Sequence, residues 1–439
     1  MAKWRTALGA AVVLALAGAR PAGAELKPGT MLDESSADEA KDLLPPEIFN
    51  HFKKGDYRNV TVDFPSSRFE WDDSFKEATK RNADHVTLDP ATKTPVDSAT
   101  GKRPDYLQGL PFPQVGEDDP DAGTKILWNM DYAYYAGGNS HNLTQLTWVS
   151  RSGVDRASVQ DVYFLYYEGQ PRRYAPATNP DNYLFQFLAV TTSPADLQGT
   201  ASLGYRFKDP TKRDMSWAYV PALRRVRAVS PANRSDGFLG SDQSQDDGPF
   251  FDGKPEDFVW KVVGKHDAYR FVDPDSIAGK VVRQPLPGGG WRTVSTNNSR
   301  AVGFMVKDWK GVPWAPVAAG MAKRRFWVIE GVPKDKYYLY GKLELWIDDT
   351  TWQGAWNRKF SWQNDLLNDY EVLGFATFPF TDTERWWGST MSVQLSENFK
   401  ADRATVSGID GPGATPPNDR RIPLEPSFFD YATLSRFGK

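Results

Sequence analysis

No cysteine occurs among the 439 residues, which excludes disulfides, thiolate catalysis and cysteine zinc sites. In an oxidising compartment such a chain must draw its stability from burial. Histidine is almost as scarce. His51, His85, His141 and His266 are scattered with no pair at i,i+4, so a histidine metal site would have to converge from four distant regions. Neither a metal nor a cofactor is implied. The usual catalytic signatures are also missing. There is no G-x-S-x-G elbow, no Walker-type phosphate loop, no H-E-x-x-H and no G-x-G-x-x-G after a strand. A pair of carboxylates could still run glycoside chemistry, but 56 acids give no means of choosing the pair. Beyond the N-terminus no apolar run approaches the roughly 18–20 residues of a bilayer span, so a soluble mature chain is expected.

The N-terminus has the order of a secretory signal peptide, residues 1–24. Lys3 and Arg5 supply a positive start, Ala7 to Ala19 an apolar run, and Ala22-Gly23-Ala24 a small-x-small cleavage site before Glu25. The alternative is a retained anchor, for which the run is short. With no cysteine after the cleavage site, no lipid can be attached there. Export to the periplasm is expected, with outer-membrane association open. Cleavage removes Lys3, Arg5 and Arg20 and no acid, so the net charge of −3 becomes −6. An acidic chain argues against nucleic-acid and anionic-membrane partners.

The chain is rich in aromatics, with Trp 16, Tyr 18 and Phe 25. Flat side chains pack sheets, and they also line cavities for apolar or sugar ligands. Three regions differ in texture. Residues 25–123 hold few strand-like runs. Ser36 can cap a helix, and Leu43/Leu44 with Ile48/Phe49/Phe52 fall at helical spacing. Pro45-Pro46 splits that stretch into two short helices. The rest, rich in proline and too poor in periodic apolar runs for its own core, is expected to wrap the body. Residues 124–399 alternate between short β-type runs and turns. Ile126 to Tyr135, Leu143 to Val149 and Ser158 to Tyr167 open the series, Tyr183 to Thr192, Ser202 to Phe207, Ser216 to Val220 and Arg225 to Val229 follow, and Val372 to Thr377 ends it. Residues 400–439 are expected to dock on the body through Phe428-Phe429-Asp430-Tyr431. The fold class is mainly β (α+β): a large antiparallel open barrel or half-barrel with short helices inserted as a lid.

Two polar features stand out. Ser241 to Gly253 is the densest acidic stretch. Asp242, Ser244 and Asp246 alternate like a calcium loop, but the glycine comes one place late and Gly253 stands where a bidentate Glu belongs. A loop shaped by Asx turns is the plainer reading. Tyr219 to Arg227 carries Arg224, Arg225 and Arg227. These guard an edge strand, or else Arg225 and Arg227 lock onto Asp246, Asp247 and Asp252 through an antiparallel return.

Those segments carry a family resemblance. Pro194 to Phe207, Asp214 to Arg227, Phe251-Asp-Gly253, Phe258 to Gly264, Arg324 to Glu330 and Tyr337 to Trp352 resemble, in order, domain of unknown function 1329. That is a proteobacterial envelope family described as outer-membrane lipoprotein-sorting-protein-like. Segment 324–362 is similar in plan to the LolA and LolB carriers, an antiparallel half-barrel with lid helices over a cavity for acyl chains. This chain is about twice the length of such a carrier, which weakens simple lipoprotein carriage. The resemblance implies a non-enzymatic periplasmic binding or carrier protein for a lipid, an acyl chain or another hydrophobe. It implies an envelope exporter or outer-membrane protein as a protein partner. On that plan the cavity-lining candidates are Trp128, Tyr132, Tyr163, Phe185, Phe187, Trp217 and Trp346. A glycan-acting enzyme and an assembly scaffold without a small ligand are the alternatives.

Overall fold

A computed structural model describes residues 26–64, 69–277, 280–295, 301–372, 393–408 and 418–438. The signal-peptide reading and residues 373–377 of the last expected strand lie outside them. In chain order the first strands are β1 (Met31–Leu32), β2 (Asn59–Val62), β3 (Val86–Leu88), β4 (Pro95–Asp97), β5 (Ser140–Ser150), β6 (Gly153–Tyr166), β7 (Tyr183–Ser193), β8 (Ala201–Phe207), β9 (Met215–Val220) and β10 (Arg225–Val229). Then come β11 (Phe258–Val272), β12 (Val281–Pro285), β13 (Trp291–Ser295), β14 (Gly320–Pro333), β15 (Lys342–Asp348), β16 (Gly354–Phe360), β17 (Leu366–Val372), β18 (Gln394–Asn398), β19 (Arg403–Ser407) and β20 (Asn418–Arg420). The main helices are α1 (Pro46–Lys53), α2 (Asp73–His85) and α3 (Ala122–Tyr135).

All strands except the β3–β4 hairpin join one sheet. Its spine is antiparallel and runs β10-β9-β8-β7-β6-β5-β19-β18-β17-β16-β15-β14-β11. The spine is open, with β10 and β11 at its two edges, so the architecture is a half-barrel and not a closed barrel. The β1–β2 pair adds beside the start of β14, with β2 parallel to it. Strands β12, β13 and β20 add beside the start of β5. Two glycines let aromatic rings lie flat across neighbouring strands. A Cβ on Gly204 would sit 2.1 Å from the Phe187 ring, and one on Gly331 would sit 2.3 Å from Trp260.

The inner face gathers residues from both ends of the sheet around α3. Tyr166 and Phe185 from the first half share one cluster with Trp260, Ile329, Leu345 and Tyr370 from the second. The outer face carries two further clusters. One packs the 37–57 region and residues 302–319 on β14, β16, β18 and β19. The other seats Phe429 and Leu434 on β6 to β9.

The Ile126 to Tyr135 run is helical, which corrects the strand expected there. Every residue of α3 but Lys125 is buried, so the helix shows no polar face and loses the periodicity that would reveal it. Its five aromatic and β-branched residues between 126 and 135 then read as a strand. The two short helices expected before residue 53 are present. A 3-10 helix spans Ala37–Leu43, and α1 begins at Pro46 after an extended Leu44. Ser36 occupies the N-cap position, but its hydroxyl donates back to the Met31 carbonyl at 2.8 Å. No helix of the described residues is long and apolar enough to cross a membrane.

Candidate functional site: an apolar groove beside a filled half-barrel

The seven aromatic candidates do not share one wall. Trp128 and Tyr132 project from α3, and Phe185 and Phe187 come from β7; all four belong to the inner face. Tyr163 and Trp217 pack on the outer face with the C-terminal segment, and Trp346 packs on the outer cluster that holds α1. Strand alternation alone could not assign these faces, because aromatics occupy both phases.

Helix α3 occupies the place where the expected ligand would lie. Trp128 Nε1 donates to the Lys93 carbonyl at 2.9 Å. The Tyr132 hydroxyl bonds the Glu168 carboxylate, which also accepts from Arg103 at 2.7 Å. Glu168 is fully buried, and burial alone would raise it. Arg103 and Lys208 outweigh that penalty and hold it below the usual carboxylate range. The gap left beside Trp128, Asp131, Tyr135 and Arg206 measures about 10 Å³, room for one water.

The acidic loop is placed differently from the expected lock. Arg225 and Arg227 are exposed on the edge strand β10, and among the described residues neither enters an ion pair. The acids turn inward instead. Asp246 accepts from Arg234 Nε at 2.6 Å, and Asp252 lies 3.2 Å from Arg206 Nη1. Asp214 binds both arginines, at 2.7 Å and 2.6 Å. Asp247 pairs with the buried Lys359 of β16. Asp242 accepts from Arg403 at 3.0 Å and from Asn398 at 3.0 Å. The physical reason is direction. The tight β9–β10 hairpin sends β10 out to the sheet edge, and the chain then crosses the inner face towards β16 to β19. With its acids paired to cations, the stretch is a strap across the half-barrel and not a calcium loop. Burial pushes Asp252 up to about 6 against the pull of Arg206 and Arg234.

Open apolar space lies at the sheet's outer margin. A groove of about 500 Å³ runs between β1–β2 and residues 301–320. Met31, Val60 and Val62 form one wall, and Val306, Trp309 and Val317 form the other. Gly320 fits beneath Val62, where a Cβ would meet Cγ2 at 2.8 Å. This lets β2 pair closely with β14 through Gly320 and Val60. Among the described residues, Arg58 is the only charged side chain on the lining. It is largely exposed and sits 3.9 Å from Asp33. Sequence reasoning missed this site. Its far wall lacks strand or helix periodicity, and the signal available was a run rich in Val, Ala, Trp and Pro between residues 301 and 320.

Comparison with known proteins supplies a family. The model described as "Protein of unknown function (DUF1329)" matches residues 31–420. An uncharacterized protein of Pseudomonas aeruginosa, PA3922, is 24% identical over 335 residues, which span 73% of this chain and 63% of the relative. The match thus covers less than two thirds of that relative's length. Among solved structures, a domain named for outer membrane lipoprotein sorting, from Vibrio parahaemolyticus, is 15% identical. It covers 72% of this chain and 100% of its own at a TM-score of 0.47. A DUF1329 family protein from Desulfovibrio piger is 16% identical, covers 72% and 99%, and has a TM-score of 0.46. A LolA superfamily protein from Nitrosomonas europaea is 11% identical, covers 70% and 97%, and has a TM-score of 0.38.

Proposed function

Because the chain belongs to the DUF1329 family, whose half-barrel here keeps an apolar groove, we propose a non-enzymatic periplasmic binding or carrier protein for an apolar ligand. The ligand is a lipid, an acyl chain or another hydrophobe, received by an envelope exporter or outer-membrane partner. The observation that carries this reading is the groove between β1–β2 and residues 301–320. Its volume of about 500 Å³ lies within the roughly 300–1,000 Å³ of small-molecule sites. Its walls are Val, Ala, Met, Pro and Trp. Each Å² of apolar ligand surface buried there contributes about 25 cal/mol. Arg58 at the rim suits the polar end of an amphipathic ligand. The aromatic candidates on the inner face support the fold that holds the groove, and they do not line it.

The test is native mass spectrometry of protein extracted without harsh detergent, paired with a Val60→Asp variant. Co-purified lipid or hydrophobe on the wild type, lost in Val60→Asp, is the expected result. A wild type that carries nothing and binds no apolar dye would point to the scaffold reading instead.

A further inference from the structure

We propose that a buried row of carboxyl groups beneath α1 is a proton-controlled clasp, which holds one wall of the groove and loosens it as pH rises. This rests on the groove reading above and concerns its regulation.

Strand register sets the row. Glu330, Glu344, Arg358, Asp369 and Glu397 stand opposite one another across β14, β15, β16, β17 and β18. Arg358 is the only cation of the five. It donates to Glu47 of α1 at 2.6 Å and 3.0 Å, and to Glu344 at 2.6 Å. Asp369 and Glu397 are thus left as directly opposed acids, an arrangement that is destabilising when both ionise. Glu371 lies two residues further along β17, on the same face. Asp369 is fully buried, and no nitrogen or hydroxyl donor reaches either of its oxygens; its carboxyl instead meets that of Glu47, a contact that needs a proton between the two acids. Glu371 Oε1 accepts from the Tyr57 hydroxyl at 3.1 Å, and its Oε2 has no partner.

Every packed element contributes charge here. Helix α1 gives Glu47 and His51, and the turn after it gives Asp56. Strands β15, β16 and β18 give Glu344, Arg358 and Glu397. His51 bonds Asp56 through Nδ1 at 3.1 Å and Glu397 through Nε2 at 2.8 Å. Arg151 reaches Asp56 at 3.6 Å and is itself bound to Asp402 at 2.9 Å. Glu330, half-buried at the end of the row, is paired with Lys261 at 3.2 Å and Lys342 at 3.3 Å. The other carboxyls, Glu47, Asp56, Glu344, Asp369, Glu371 and Glu397, outnumber Arg358, His51 and Arg151. A buried carboxylate without a donor is costly, and holding a proton relieves it. Burial pushes both Asp369 and Glu371 well above the ordinary range, and the neighbouring acids add to it. Burial alone would lower His51, but its bonds to Asp56 and Glu397 outweigh that and carry it up to about 10.

The sign follows from proton counting. Raised carboxyls keep protons in the folded chain that the unfolded chain releases. Their stabilisation is full below the ordinary carboxylate range and is lost as pH rises through the raised values. His51 acts in the same direction at higher pH. Asp56, which is lowered, opposes them only in acid below its ordinary 3.8. Above mild acid, the clasp therefore only loosens as pH rises. Helix α1 lies between β1 and β2 in the chain. Met31, Arg58, Val60 and Val62 on either side of it form the groove wall. The ladder that joins that wall to the spine is short, pairing Val60, Thr61 and Val62 with the start of β14.

The test uses hydrogen exchange on the full chain between about pH 5 and about pH 9, corrected for intrinsic base catalysis. A neutral naphthylamine dye serves as the groove probe. Expected is a gain of about tenfold or more in exchange across residues 31–62 as pH rises, with dye affinity falling in parallel. Asp369→Asn and Glu371→Gln should flatten both profiles. Corrected exchange in the wild type that is independent of pH overturns the clasp even if the variants fail to fold, and leaves the groove reading intact. Variants that fold and keep the wild-type profile also overturn it. Exchange that responds to pH while no dye binds at any pH overturns the groove reading and supports the clasp.

Discussion

At the scale of residues, the buried strap is where charge matters most. Lys359 and Asp247 are both almost fully buried and face one another from β16 and the strap. Removing one partner of such a pair strands the other charge in a low-dielectric site, which costs about 3–5 kcal/mol. Lys359→Ala and Asp247→Ala should each lose stability of that order in urea denaturation, and the double variant should lose far less than their sum. Arg225→Ala and Arg227→Ala, on the exposed edge, should stay within about 0.5 kcal/mol. A larger loss at the edge than at Lys359 would refute this ranking. The sequence marked out the acids of 242–252 and raised, as one of two readings, that cations hold them. It could not show which, because Lys359 is 112 positions from Asp247 and only the fold brings them together. Arg234, 12 positions from Asp246, was near enough to have been considered. The basic run at 224–227 drew attention because it is dense, and density is also what an edge strand uses to stay free of partners.

At the scale of elements, strands were legible and the central helix was not. β10 was expected at Arg225–Val229 and is found there. Strands β5 to β9 lie close to their expected runs because alternation and Gly-rich turns speak plainly in a meander. Helix α3 was hidden by its own burial. Two substitutions test its seat. A Cβ at Gly123 would lie 2.9 Å from Trp260 Cβ and 3.0 Å from the Lys261 backbone nitrogen. Gly123→Ala should therefore cost about 1–3 kcal/mol through overpacking, although alanine is the better helix former. Asn129 bonds both backbone groups of Phe112, each at 2.9 Å. Asn129→Ala leaves that N–H and carbonyl unsatisfied and should cost about 1–3 kcal/mol or more. Thermal melting of both variants is the check. The N-terminal segment shares these contacts. Phe75, Leu107 and Phe112 belong to the inner cluster, and Leu32, Ile48 and Phe52 belong to the outer one. We therefore propose that the segment before α3 does not fold alone. Limited proteolysis should yield no stable fragment ending near residue 121.

At the scale of the whole molecule, a half-barrel with both faces covered buries many ionisable groups, and their balance fixes the shape of stability against pH. Glu168, Asp214 and Asp348 are held below the ordinary carboxylate range, because arginine and lysine partners outweigh burial. Each contributes stability that is present above the ordinary value and lost as pH falls through the lowered one. His51, raised to about 10, and His141, raised to about 9, act from the other side. Burial opposes both, and their carboxylate partners prevail: Asp56 and Glu397 for His51, Asp161 and Asp419 for His141. Their stabilisation is full below the unfolded histidine value of 6.5 and is lost as pH rises through about 9 to 10. Asp252, raised to about 6, adds an earlier loss between its ordinary 3.8 and that value. The melting temperature should therefore be highest in mild acid and decline steadily from about pH 6 to about pH 10. His51→Gln should lower stability in mild acid and remove part of the alkaline slope, since glutamine cannot carry the charge that Glu397 and Asp56 hold in place. A wild-type melting temperature that rises between about pH 7 and about pH 9 would contradict the assignment of these buried histidines as charged.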